Sequence, residues 1–130
     1  FVDTKAASIV MNSSVKKILV PLDVCNMATL SLDDFNIFKN TPIYNLITKY
    51  YEGLKKFDQI NEVIIYDALA AYFLINPDAF KTKTARIKVE TEGKKEGQST
   101  ELNSLSNDTK IAISVERDIF RKKFLKILNS

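Results

Sequence analysis

A phenol and a carboxylate stand side by side at Tyr66-Asp67, directly before an uncharged run from Ala68 to Ile75. Asp67 has the oxygens that a hard cation takes, or that a substrate needs for polarisation. It is equally an N-cap, accepting from the first free amides of a helix, and capping is the commoner use of such a residue. The two uses are compatible, since a helix start also holds a carboxylate rigidly. Asp23 and Asn26 form a second polar pair after the apolar run that ends at Pro21. Ligands collect at the carboxyl ends of strands in open α/β sheets, but a loop aspartate is more often a turn residue. The chain has no histidine. That excludes Ser-His-Asp and Cys-His triads, the usual zinc sites and the commonest general base near neutral pH. None of the glycines (Gly53, Gly93, Gly97) precedes a Lys-Ser or Lys-Thr pair, so there is no phosphate loop.

The elements that must position these groups fit one domain of 130 residues, or a segment of one. With 45% hydrophobic and 27% charged residues the chain can bury a core, and its net charge of +3 does not by itself argue for nucleic acid. Cys25 is the single cysteine, so no internal disulfide forms and a reducing, cytoplasmic compartment fits best. No apolar run approaches the ~18 residues of a membrane span, and no signal-peptide pattern opens the sequence. The start at Phe1-Val2-Asp3, without methionine, suggests a piece of a longer protein or a processed product.

Asp3 reads as the cap of a helix over Lys5–Met11. Ile18-Leu19-Val20 reads as a buried strand with neighbours on both sides, running through Leu22–Asn26 toward a loop. Ser31 with Asp34 resembles a capping box, followed by a short helix that Lys39-Asn40 breaks. Thr41-Pro42 starts an amphipathic helix of about four turns whose apolar stripe is Ile43, Leu46, Ile47, Tyr50, Tyr51 and Leu54. Phe57–Asn61 is a loop, and Val63-Ile64-Ile65 an apolar approach to the next helix. From Tyr66 that helix is apolar nearly all round, which predicts burial on every side until Asn76-Pro77 stops it. Ala85, Ile87, Val89 and Thr91 alternate with charged residues, Gly93 and Gly97 bracket a turn, and Gln98 opens a polar loop ending near Asp108. Ile111, Ile113 and Val115 give another strand. The closing helix, about Glu116–Leu128, has a stripe of Ile119, Phe120, Phe124, Ile127 and Leu128, with Arg117, Arg121, Lys122, Lys123 and Lys126 outside it. That basic face reads as solvated rather than as a nucleic-acid surface.

Five stretches in this order carry a resemblance. They are Asp3–Val10, Val20-Pro21-Leu22-Asp23-Val24, Tyr66-Asp67-Ala68-Leu69-Ala70, Val89–Gly93 with Gly97-Gln98-Ser99, and the final strand and helix. Together they resemble the C-terminal portion of the inosine-uridine-preferring nucleoside hydrolases. The counterparts there are an Asp-Pro-Glu-Ala-Ala helix start, a Val-Pro-Leu-Asp-Val strand, His-Asp-Pro-Leu-Ala and a Glu-x-x-Gly…Gly-x-Thr hairpin. The resemblance implies an α/β fold over residues 1–130: a mixed sheet with flanking helices and a β-hairpin. It implies hydrolysis of the N-glycosidic bond of ribonucleosides, in nucleoside salvage, by water on a calcium ion. By position Asp67 is one calcium ligand, and Tyr66 stands where the family's histidine assists departure of the base. Tyr51 lies on the helix whose counterpart closes over the nucleobase. The family's acidic cluster, Asp-x-Asp-x-x-x-Asp-Asp, lies upstream of Phe1, so this segment alone should be silent. Ala68 replaces the usual proline, and Cys25-Asn26 the usual Thr-His. The partners implied are a ribonucleoside, the N-terminal portion of the same enzyme and a possible second copy, with neither nucleic acid nor membrane. The competing reading is a non-catalytic interaction module that keeps the fold.

Overall fold

The computed structural model describes residues 2–58, 62–102 and 108–129. In chain order the elements are α1 (Thr4–Asn12), β1 (Lys17–Leu19), α2 (Leu22–Cys25), β2 (Thr29–Ser31), α3 (Pro42–Asp58), β3 (Glu62–Ile64), α4 (Tyr66–Ile75), β4 (Phe80–Val89), β5 (Ser99–Leu102), β6 (Thr109–Val115) and α5 (Arg117–Leu128). They form two compact units: residues 1–19 with 82–112, and residues 20–81 with 113–130.

The first unit holds a four-stranded sheet in the order β1-β6-β4-β5. β1 runs parallel to β6, with Lys17 opposite Thr109, and β4 pairs antiparallel with β5, from Arg86–Leu102 to Val89–Ser99. The sheet is therefore mixed and includes a hairpin, as the resemblance implies. Asp3 caps α1, its Oδ1 accepting from the Ala6 amide at 2.8 Å. Ala85, Ile87 and Ile111 form the core here, with Met11 and Leu19 packed on it. Gly97, at φ 82°, donates its amide to the Glu90 carbonyl at 2.7 Å and turns the hairpin. β1 departs from its expected burial. It lies at the sheet edge, so Ile18 is exposed while Lys17 turns inward. The buried Lys17 ammonium donates to the Ser13 carbonyl at 2.7 Å and to Asp108 at 3.2 Å, which satisfies its charge. Of the polar loop expected from Gln98 to near Asp108, Ser99–Leu102 is strand β5 instead, and residues 103–107 lie outside those described.

The second unit is built on the antiparallel ribbon of β2 and β3, in which Leu30 faces Val63. β2 has no clear mark in the sequence. After it Asp34 Oδ2 accepts from the Ser31 amide at 2.7 Å and from its hydroxyl at 3.0 Å, the expected reciprocal cap. The turn it starts, Leu32–Phe38, is a 3₁₀ rather than an α-helix. Thr41 Oγ1 donates to the Phe38 carbonyl at 2.6 Å and accepts from the Tyr44 amide at 3.3 Å, so one hydroxyl closes the turn and caps α3. α3 runs through Phe57 and Asp58, which were expected in a loop; residues 59–61 lie outside those described. Leu22–Cys25 is a short helix instead of an extended approach to a loop.

Two helices bury less than their sequences suggest. α4 spans Tyr66–Ile75 and stops at Asn76 as expected, but only Leu69, Tyr72 and Phe73 are buried. Leu74 and Ile75 are 71% and 61% exposed, because the second unit covers one side of the helix only. That side is aromatic: Phe73 lies 4.8 Å from Phe80 and Tyr72 lies 5.1 Å from Phe120, between ring centroids. On α5 Phe120 alone is fully buried, and Ile119, Ile127 and Leu128 are exposed.

Tyr51 is the one buried residue of the α3 stripe, and its hydroxyl donates to the Leu30 carbonyl at 2.6 Å. Tyr51→Phe keeps the ring and removes that buried hydrogen bond. It should lower the stability measured by denaturant unfolding by about 1–2 kcal/mol.

Candidate functional site

β3 ends at Ile64, and α4 begins two residues later. Both chemical side chains therefore sit where a strand hands over to a helix. The N-cap position is Ile65, so Asp67 stands inside the first turn rather than at the cap. Among the described residues it makes no hydrogen bond or ion pair, and it is exposed. Its charge is favoured by the free amides of the helix start.

Asp67 lines a hollow of 310 Å³ with Ile64, Ile65, Tyr66 and Ala68. A second hollow of 210 Å³ is lined by Thr29, Tyr50, Leu54, Glu62, Val63, Ile64 and Tyr66. Ile64 and Tyr66 belong to both, so Tyr66 stands at the seam between them.

Tyr51 lines neither hollow. It is 1% exposed, its hydroxyl is held by Leu30, and burial pushes its phenol far above the ordinary range. Its position on α3 is structural; Tyr50, 58% exposed, takes the place beside Tyr66. Tyr50 and Tyr51 lie four and three residues before Leu54, so helical spacing alone does not separate them. Asp23 and Asn26 are exposed and line neither hollow. Cys25 is buried, and burial pushes its thiol up, away from nucleophilic use.

Glu62 and its holders were not anticipated. The Thr29 hydroxyl donates to one carboxylate oxygen, and Arg117 Nη2 donates to the other at 2.6 Å. Arg117 Nε also donates to the Thr29 carbonyl at 3.3 Å. Thr29 first, then Arg117, hold the Glu62 carboxyl below its usual range. One turn along α5, Arg121 donates to Asp34. Burial pushes the Asp34 carboxyl up, but the Ser31 amide, Arg121 and the Ser31 hydroxyl together outweigh it, and the net shift is down. Arg117 and Arg121 thus have acidic partners and are not part of a free basic face.

Among the described residues no three Asp, Glu, Cys or His side chains gather to hold a metal ion. Calcium takes six to eight oxygens, and Asp67 supplies one carboxylate. The described residues do not by themselves make a cation site.

Solved structures define the class. A plant nucleoside hydrolase matches 95% of this chain and 44% of its own with a TM-score of 0.81 at 16% identity. A purine-preferring ribonucleoside hydrolase from Gardnerella vaginalis matches 95% of this chain and 42% of its own, with a TM-score of 0.83 at 20% identity. The fold is that of the nucleoside hydrolases. In sequence, the family described as inosine-uridine preferring nucleoside hydrolase matches residues 1–125, and the chain belongs to that family. A pyrimidine-specific ribonucleoside hydrolase from Shigella boydii is 24% identical over 136 residues, covering 98% of this chain and 44% of the relative. A non-specific ribonucleoside hydrolase from Salmonella paratyphi B is 25% identical over 131 residues, covering 93% and 42%. The chain spans less than half the length of these relatives.

Asp34 and Glu62 both have lowered pKa values, so the stability they contribute is complete above the unfolded carboxylate range and is lost as pH falls through the folded values. Thermal unfolding followed from about pH 5 to pH 3 should show a falling midpoint. Asp34→Asn should start lower at neutral pH and fall less steeply.

Proposed function

We propose that this chain is the C-terminal segment, residues 1–130, of a larger hydrolase domain that cleaves the N-glycosidic bond of ribonucleosides to free base and ribose. One observation carries the reading beyond family membership: Tyr66 and Asp67 share a strand-to-helix step where two hollows adjoin. The hollow at Asp67 suits the ribose side and the hollow at Tyr50 the base, with Tyr66 between them.

Asp67 would give one oxygen ligand to a calcium ion whose other ligands belong to the upstream acidic cluster. Such an ion, when bound, lowers the pKa of a coordinated water. Asp67 holds its place through the rigid first turn of α4. The Tyr66 phenol can donate a hydrogen bond to ribose or to the departing base. Tyr50, rather than Tyr51, offers an aromatic face to that base. The exposed Leu74, Ile75 and Leu46 are surfaces for the remainder of the enzyme or for a second copy to cover. A role in purine or pyrimidine salvage in the cytoplasm accompanies this reading, and a single buried cysteine suits that compartment.

A single carboxylate and the exchange of histidine for Tyr66 favour a second reading, a non-catalytic module that keeps the fold. Nucleosidase assay of the full-length protein with calcium separates the two. On the enzyme reading, Asp67→Ala should lower kcat/KM for inosine and uridine by about 100-fold, the loss of a few kcal/mol of stabilisation. Unchanged turnover in that variant would remove Asp67 from the site. An inert wild-type protein would favour the module.

A further inference from the structure

We infer that Glu62 reads the edge of the nucleobase and selects bases that present paired N–H donors, guanine above all. The inference rests on the hydrolase reading and extends it to the substrate.

The hollow beside Tyr50 has a volume of about 210 Å³, enough for one heterocyclic base. Tyr50, Tyr66 and Leu54 give it apolar and aromatic walls, on which a flat ring stacks. Glu62 is the one charged side chain lining it among the described residues.

The other polar contacts fix what Glu62 can do. Thr29 spends its hydroxyl proton on one carboxylate oxygen, and Arg117 donates to the other at 2.6 Å. Each oxygen has a further lone pair, so two acceptor positions remain. The Arg117 guanidinium is turned to Glu62 and to the Thr29 carbonyl. What Glu62 and Thr29 can offer the hollow is therefore acceptors, on a side chain with one hydrogen bond already fixed at each carboxylate oxygen. A fixed carboxylate favours two parallel N–H donors. Guanine has such a pair in its ring N1–H and its 2-amino group. Hypoxanthine lacks the amino group, and uracil sets carbonyl oxygens on either side of its ring N–H. Cytosine, with one amino group, should stand above uracil. A bidentate pair of this kind discriminates by roughly 10-fold or more.

The test is kcat/KM of the full-length protein for guanosine against inosine, and cytidine against uridine. Wild type should favour guanosine by about 10-fold, and Glu62→Gln, whose amide sets a donor in the hollow, should bring that ratio close to one. Glu62→Asp, which keeps the charge, should keep the direction of the preference. If Glu62→Gln does not fold, inhibition of the wild-type enzyme by free guanine against free hypoxanthine measures the same preference, guanine binding about 10-fold tighter. A wild-type ratio near one overturns the inference. So does a Glu62→Gln variant that loses activity on all four nucleosides in equal proportion, which would mark Glu62 as a strut for Arg117 only. Absence of hydrolysis on every nucleoside would instead overturn the hydrolase reading itself.

Discussion

Two arginines one turn apart on α5 hold the second unit together. Arg117 reaches Glu62 on β3 and the Thr29 carbonyl on β2, and Arg121 reaches Asp34 in the turn that follows β2. The two are not equivalent. The Glu62 and Arg117 side chains are 43% and 39% exposed, and such a pair alone adds ~0–1 kcal/mol. The Asp34 side chain is 4% exposed, so stripping Arg121 from it would leave a buried carboxylate with Ser31 but without its counter-ion, at a cost of about 1.5–3 kcal/mol. Between them they pin a helix to a two-stranded ribbon too short to stand alone. β3 of that ribbon leads directly into Tyr66 and Asp67, so the position of both candidate residues depends on these contacts.

Local chemistry was legible in the sequence where neighbours along the chain decide the structure. The Asp3 cap, the Ser31–Asp34 pair, the Thr41-Pro42 start and the stop at Asn76 all depend on residues within four positions of each other. The alternation of Ala85, Ile87 and Val89 likewise predicts their burial. The arginine contacts were illegible, since Arg117 and Glu62 are 55 residues apart and Arg121 and Asp34 are 87 apart. A basic helix looks the same whether its cations meet water or carboxylates. Composition likewise cannot say how many sides of α4 will find a neighbour. For the same reason the sequence could not choose between Tyr50 and Tyr51: both lie in the apolar stripe, and only the ribbon beneath Tyr51 shows which one the core takes. Nothing within a few residues of Glu62 in the sequence suggests a role for it.

Family membership and the site geometry bear on different questions. At 16–25% identity the fold persists, while Tyr66 stands beside Asp67 where the resemblance gives the family a histidine. A phenol is a far weaker acid than an imidazolium, though it hydrogen-bonds over a wider pH range. A pocket that leans on such a group needs other means to recognise its occupant. The Glu62 carboxylate, braced on both oxygens, is the charged group at hand.

Asn40 has a backbone φ of 70°, the one left-handed non-glycine residue among those described. It sits between the 3₁₀ turn and α3, next to the threonine that closes one and caps the other. Most side chains resist that conformation by about 1–2 kcal/mol; asparagine, aspartate and glycine accept it. The direction in which α3 sets out, and with it the reach of Tyr50, therefore turns on a single permissive step of the backbone. Descendants of this protein that place any other residue at position 40 carry that penalty into the aromatic wall, however freely the surrounding surface drifts.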